Sequence, residues 1–197
     1  MAKKQPMLDV FEQNKYDLMT AVKRSRSWFD KQVASMAKQQ LTPNKVLQGN
    51  PDQLVTRIMP GHLYMFAYDP KLKKELPYYD RFPLVFPFSK TPDGFIGLNM
   101  HYLPYQLRIA LLDNLLVFRS NNRLDETTKL KYSWQVLDGV SRYKAAQPCV
   151  KQYLIGHVRT QFRQVESKDW ATAMLLPVEK FIGAPSKSVW KDSRRNR

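Results

Sequence analysis

The sequence is poor in cysteine, histidine and acidic side chains, and it has no long apolar run. A lone cysteine, Cys149, excludes an internal disulfide framework and fits a reducing compartment. The three histidines, His62, His101 and His157, stand far apart without a Cys, His or carboxylate at ligand spacing, so no metal site and no cofactor is expected. His101 and His157 are expected to pack against the core, and His62 to open a strand. Among the seven glycines there is no phosphate loop, no Gly-x-Gly-x-x-Gly and no Gly-x-Ser-x-Gly elbow. The longer apolar stretches, such as Ile109–Phe118, are short of a membrane span and interrupted by charge. The opening Met-Ala-Lys-Lys-Gln-Pro-Met lacks a signal peptide's apolar core, so an intracellular chain with no membrane partner is expected.

What is abundant is positive charge. The 197 residues carry 32 Lys and Arg against 17 Asp and Glu, a formal charge of +15. Such an excess repels itself unless an anion is near, and the usual anions are nucleic acid, anionic lipid or an acidic protein. The surplus is uneven: residues 41–118 hold 8 Lys and Arg against 6 Asp and Glu, so the charge belongs mainly to the segments around them. The hydrophobic fraction of 43% is sufficient for a real core.

Composition divides the chain into residues 1–40, an amphipathic basic helix (Leu18, Val22, Phe29, Val33 and Met36 at helical spacing); 41–60, a linker; 61–182, a core domain; and 183–197, a basic tail expected to be partly mobile. Within the core, residues 61–103 look β-rich. His62–Asp69, Phe82–Phe88 and Phe95–Tyr102 are strand candidates, the second an edge or bulged strand because Pro83 and Pro87 cannot donate to a ladder. Thr91-Pro92-Asp93-Gly94 is a turn, and Gly97 marks a bulge or a close backbone approach. Residues 104–170 are mainly helical. One helix starts at Pro104, with Leu107, Leu111, Leu115 and Phe118 inward. A second is capped near Asp125, with Tyr132, Trp134, Val136, Leu137 and Val140 apolar. A third runs from Pro148 to about Val158. Phe162–Val165 is a strand candidate, Ser167 caps a short helix carrying Trp170, and a strand returns over residues 175–181. The expected fold is α+β, a small antiparallel β-meander or SH3-like partial barrel with surrounding helices and a long N-terminal helix.

No catalytic constellation stands out. Cys149 beside Pro148 reads as a small core residue. Asp69, Glu75, Asp80 and Asp93 fall where turns are expected, and a nuclease would need such carboxylates to converge on a metal. The basic residues do form patches: Lys23, Arg24 and Arg26 beside Trp28; Arg142, Lys144, Lys151, Arg159 and Arg163 among aromatics; and Lys187, Trp190, Lys191, Arg194, Arg195 and Arg197 in the tail. These are the candidate DNA-binding residues, with cations for phosphates and aromatics for exposed bases. No zinc finger or zipper pattern points to sequence-specific reading.

Two stretches are unusual: Leu76-Pro77-Tyr78-Tyr79-Asp80-Arg81-Phe82-Pro83 and Gly97-Leu98-Asn99-x-His101-Tyr102-Leu103. With Pro60–Pro70 before them and Val189–Arg194 after, they resemble the DNA end protector proteins of T4-like tailed phages, notably cyanophages, over about residues 60–197. The resemblance implies a virion protein of the head-completion stage. It would sit on the ends of packaged double-stranded DNA, shield them from host exonuclease after injection, and meet head, neck or tail proteins. It would take no small-molecule substrate, and its places would be the virion and the host cytoplasm. The alternatives are a structural component of the neck, head or baseplate, and a nuclease-like enzyme.

Overall fold

The computed structural model describes residues 54–119, 121–175 and 181–195. The expected N-terminal helix, with Lys23, Arg24 and Arg26, lies outside them, as does Arg197.

The fold is α+β, built on an antiparallel sheet. Its strands are β1 (Leu54–Val55), β2 (Leu63–Met65), β4 (Leu84–Thr91), β5 (Gly94–Asn99), β6 (Val150–Leu154) and β7 (Phe162–Val165), in the order β1-β7-β2-β4-β5-β6. A separate pair joins β3 (Tyr79–Asp80) to β8 (Phe181–Ile182). Helices α1 (Tyr105–Arg119), α2 (Glu126–Ser141), α3 (Trp170–Leu175) and α4 (Ser186–Arg195) complete the described elements, with short 3₁₀ turns between.

Side-chain alternation along the strands explains the two cores. Leu63 and Met65 of β2, Leu84 and Phe86 of β4, Leu98 of β5 and Val165 of β7 share one cluster with Leu111, Leu112 and Leu115 of α1, Leu137 of α2 and Met174 of α3. The intervening residues Tyr64, Phe66, Val85, Phe95, Tyr153 and Phe162 form the second, largely aromatic cluster. Phe95 of β5 and Phe162 of β7 lie three strands apart in the ladder, roughly 14 Å if the sheet were flat. Their ring centroids are 6.0 Å apart, so the sheet is strongly curled around this aromatic core. An isolated bridge joins Tyr68, just past β2, to Val158, just past β6, and so links strands three places apart in the sheet.

Several expectations hold at the level of single residues. The turn pairs Thr91 with Gly94. A Cβ on Gly97 would come within 2.4 Å of Val85 Cγ1 and 2.9 Å of the Phe86 carbonyl, which is the close approach its position suggested. Asp125 caps α2 by accepting from Thr128 N at 2.9 Å. Strand β4 is bulged between Pro87 and Ser89, but it lies inside the sheet, between β2 and β5, and not at an edge.

Other segments differ. In place of a helix from Pro148, a 3₁₀ turn over Lys144–Cys149 leads into β6 and a second turn over Ile155–His157. Pairing with β5 along its whole length outweighs the local helix-start signal. Leu175, expected to open the returning strand, belongs to α3, Phe181 lies in β8 (Phe181–Ile182), and residues 176–180 lie outside the described residues. Tyr132 and Trp134 flank the inward stripe of α2 and stay partly exposed: Tyr132 stacks on Phe118 with ring centroids 5.2 Å apart, and the Trp134 indole N–H donates to the Phe88 carbonyl at 3.0 Å. The chain beyond Gly183, expected to be a partly mobile tail, forms α4, which buries Val189 and Ser193.

Candidate nucleic-acid interface

The two unusual sequence stretches meet in a buried polar knot. Asp80 lies inside, on β3; it is not in the turn its sequence neighbours suggested. Its Oδ1 accepts from Phe82 N at 3.1 Å, and its Oδ2 accepts from Asn99 Nδ2 at 3.0 Å. His101 Nδ1 lies 2.7 Å from the same Oδ2. Asn99 also donates to the Tyr153 hydroxyl at 2.9 Å and accepts from His101 N at 3.0 Å. The Asp80 and His101 side chains are 1% and 0% exposed, so the pair braces the fold from inside.

A second knot holds α4. Arg108, fully buried on α1, donates to the carbonyls of Leu103 at 2.8 Å, Met174 at 3.1 Å and His101 at 3.0 Å. The Trp190 indole donates to that same His101 carbonyl at 2.8 Å, with the Arg108 guanidinium 5.6 Å from its ring. Val189 is fully buried beside it. Trp190 is therefore an anchor of α4, while Lys187 and Lys191, one helical turn apart, are exposed.

Burial also sets the alkaline limit of the fold. Desolvation raises the pKa of Tyr64, Tyr68, Tyr102 and Tyr153 above 10.0 and pushes the Cys149 thiol up to about 12. The folded state holds these protons more tightly than the unfolded chain does. The contribution is therefore complete below the unfolded values, about 8.5 for the thiol and 10 for the phenols, and is lost progressively as pH rises from them towards the raised folded-state values. Thermal unfolding followed from about pH 8 to pH 11 should show a midpoint that falls ever more steeply above about pH 10; a flat profile would contradict this.

A groove opens beyond the end of β2, lined by the segment that follows it, the loop carrying Arg159 and the β3–β8 pair. It has a volume of about 400 Å³ and is lined by residues including Lys73, Arg81, Arg159, Tyr79, Phe82 and Asp69. The backbone sets this convergence. Tyr68 N donates to the Arg81 carbonyl at 3.0 Å, Asp69 N to His157 at 3.1 Å, and Arg159 N to Ala67 at 2.8 Å. The Ala67–Asp69 segment is thus clamped between the chain carrying Arg81 and the chain carrying Arg159. Asp69 accepts from Lys73 at 2.9 Å and pairs with Arg159 at 3.4 Å. The Lys73 hydrogen bond, with help from Arg159, lowers the pKa of Asp69. Three cations against one carboxylate leave the groove net positive.

The residues singled out from sequence do not form one face. Arg159 lines the groove. Arg142 is exposed but hydrogen-bonded to Asp138 at 2.6 Å, and Lys144 is exposed on the 3₁₀ turn against which α4 packs. Lys151 is partly buried, its ammonium 4.2 Å from the centroid of the Tyr102 ring, and burial lowers its pKa. Arg163 is 3% exposed, its strand neighbours being Leu54 and Met65. Arg194 and Arg195 lie in the last turn of α4. Sequence reasoning missed Lys73, Arg81, Tyr79 and Phe82 as surface groups. Three of them sit in the Tyr-Tyr-Asp-Arg-Phe-Pro stretch, whose aromatic and proline content reads as purely structural. Among the described residues, no three His, Cys, Asp or Glu side chains converge as a metal site, and no helix is long and apolar enough to cross a membrane.

A family model described as "Phage T4 terminal DNA protecting protein" matches residues 10–193. No curated protein and no solved structure matches the chain.

Proposed function

Since the chain belongs to the phage T4 terminal DNA protecting protein family, we propose that it binds the ends of linear double-stranded phage DNA and occludes them from host exonuclease, without turnover. The observation that carries this is the family match, which spans nearly the whole chain. The charge of +15 supports it, because a protein that sits on DNA without reading sequence gains its affinity from phosphate neutralisation. In this reading the five strands β2, β4, β5, β6 and β7 make an SH3-like partial barrel as the rigid body. Lys144, Lys187 and Lys191 supply nonspecific phosphate contacts. The protein is carried in the virion, joins it at head completion beside head, neck or tail proteins, and acts in the host cytoplasm after injection.

Binding to linear duplex across a salt series tests the phosphate contacts. The Lys187→Gln/Lys191→Gln variant should bind more weakly, and its log–log salt slope should be shallower by about 1–2, since each lost phosphate contact removes about 0.9. An unchanged slope would remove α4 from the DNA surface.

A further inference from the structure

We propose that the groove between Lys73, Arg81 and Arg159 holds the phosphorylated terminal nucleotide of a DNA strand, with the phosphate on the cations and the base against Tyr79 and Phe82. This rests on reading the protein as one that binds DNA ends.

Shape is the first argument. Flat or convex lysine surfaces suffice for the outside of a duplex, whose phosphates stand on ridges and whose base faces are covered by stacking. A concave site of about 400 Å³ suits one small unit that enters it. A nucleotide at a strand end, unpaired or frayed, offers a phosphate and a bare base face together.

Chemistry is the second. Lys73 and Arg159 remain 47% and 53% exposed although Asp69 accepts from both, so Asp69 holds them in place without hiding them. Arg81 is exposed, its guanidinium 5.9 Å from the Phe82 ring centroid, and can meet a phosphate as a planar fork. Tyr79 and Phe82 are half-buried and held by the β3–β8 pair and by the hydrogen bond from Phe82 N to Asp80. The aromatic surface is therefore ordered before any ligand arrives, which lowers the entropic cost of binding.

The position is the third. Tyr79 and Phe82 flank Asp80, the centre of the buried polar knot, so the groove wall is an outward extension of the most constrained part of the fold. A site that must locate one terminal nucleotide gains from such a support.

Equilibrium binding of the full chain to three labelled DNAs tests this: a duplex with a short 5′-phosphorylated overhang, the same duplex dephosphorylated, and a closed circle. The wild type should prefer the phosphorylated end over the circle by about tenfold, the scale of one stacked base with its phosphate contact. The preference should shrink on dephosphorylation. In Arg81→Gln/Arg159→Gln the ratio of end to circle affinity should fall to within about twofold of unity, whereas Lys187→Gln/Lys191→Gln should weaken both and keep the ratio. A groove variant that keeps the wild-type ratio would overturn the groove and leave end binding standing. A wild type with no preference for ends would overturn both readings. A preference indifferent to the phosphate would overturn the phosphate assignment. One arm needs no variant: a short phosphorylated single-stranded oligonucleotide should displace the wild type from ends before it displaces it from circles, and equal displacement would count against the groove.

Discussion

Asp80→Ala is expected to destabilise the folded protein by about 3–5 kcal/mol, the cost of breaking a buried, hydrogen-bonded polar pair from one side. The loss has three parts. Phe82 N loses its acceptor, Asn99 loses one of its two, and the His101 imidazole is left buried without its carboxylate partner. Bulk solvent offers little compensation, because Asp80, Asn99 and His101 are all but fully buried. At about 2–4 °C per kcal/mol for a chain of this size, the melting midpoint should fall by roughly 6–20 °C. Calorimetry or circular dichroism would read this directly. A fall of less than about 1 kcal/mol would mean that the knot is not what holds β3 against the sheet.

Removing α4 is the second large effect. A chain ending at Pro185 loses Val189 from the core, the Trp190 bond to the His101 carbonyl and the indole face beside Arg108. Burying a side chain the size of valine contributes about 1.5–3 kcal/mol, and one hydrogen bond about 1 more. The shortened protein should therefore unfold at a midpoint at least several degrees lower. Its DNA affinity should fall too, partly for reasons unrelated to charge. Truncation alone would therefore misattribute a packing loss to lost phosphate contacts. Comparing it with Lys187→Gln/Lys191→Gln, which should melt as the wild type does, separates the two. Equal midpoints for the truncated and full chains would show that α4 is not docked.

Both effects depend on contacts that are only partly legible in the sequence. Local signals were reliable where they act locally. The Thr91–Gly94 turn, the Asp125 cap and the inward stripe of α1 all follow from a few neighbouring residues. Signals failed where a distant partner decides. Val150–Leu154 resembles the continuation of a helix after Pro148 until β5 offers it a ladder. Ser186–Arg195 looks like solvated tail because its composition is polar, yet Val189, Trp190 and Ser193 supply a narrow inward stripe. The site was the least legible part. Asp80 and His101 stand 21 residues apart, and Asp69 and Arg159 stand 90 apart. No periodicity connects such pairs, and only the clamp of Ala67–Asp69 between two other segments brings Arg81 and Arg159 to one groove. Basic residues close in sequence, Arg159 and Arg163 among them, end with one at the surface and the other inside.

The picture is of a stiff, curled sheet with two kinds of positive surface. Lys187 and Lys191 stand out on a docked helix and suit any phosphate within reach. Two of the groove's three cations, Lys73 and Arg159, pair with Asp69 beside Tyr79 and Phe82, and the proposed occupant is a single terminal unit. In the proposed reading the first kind supplies affinity that weakens with salt, and the second supplies a reason to prefer an end over the middle of a duplex.

The most direct test of end protection is digestion of linear duplex, with and without the full chain, by a nuclease that must start at an end and, in parallel, by one that cuts internally. The account predicts that saturating protein blocks the end-dependent enzyme and leaves internal cutting largely unaffected. Equal slowing of both would show a general DNA coat, no slowing of either would remove the protective role, and metal-dependent cutting by the protein alone would contradict the account outright.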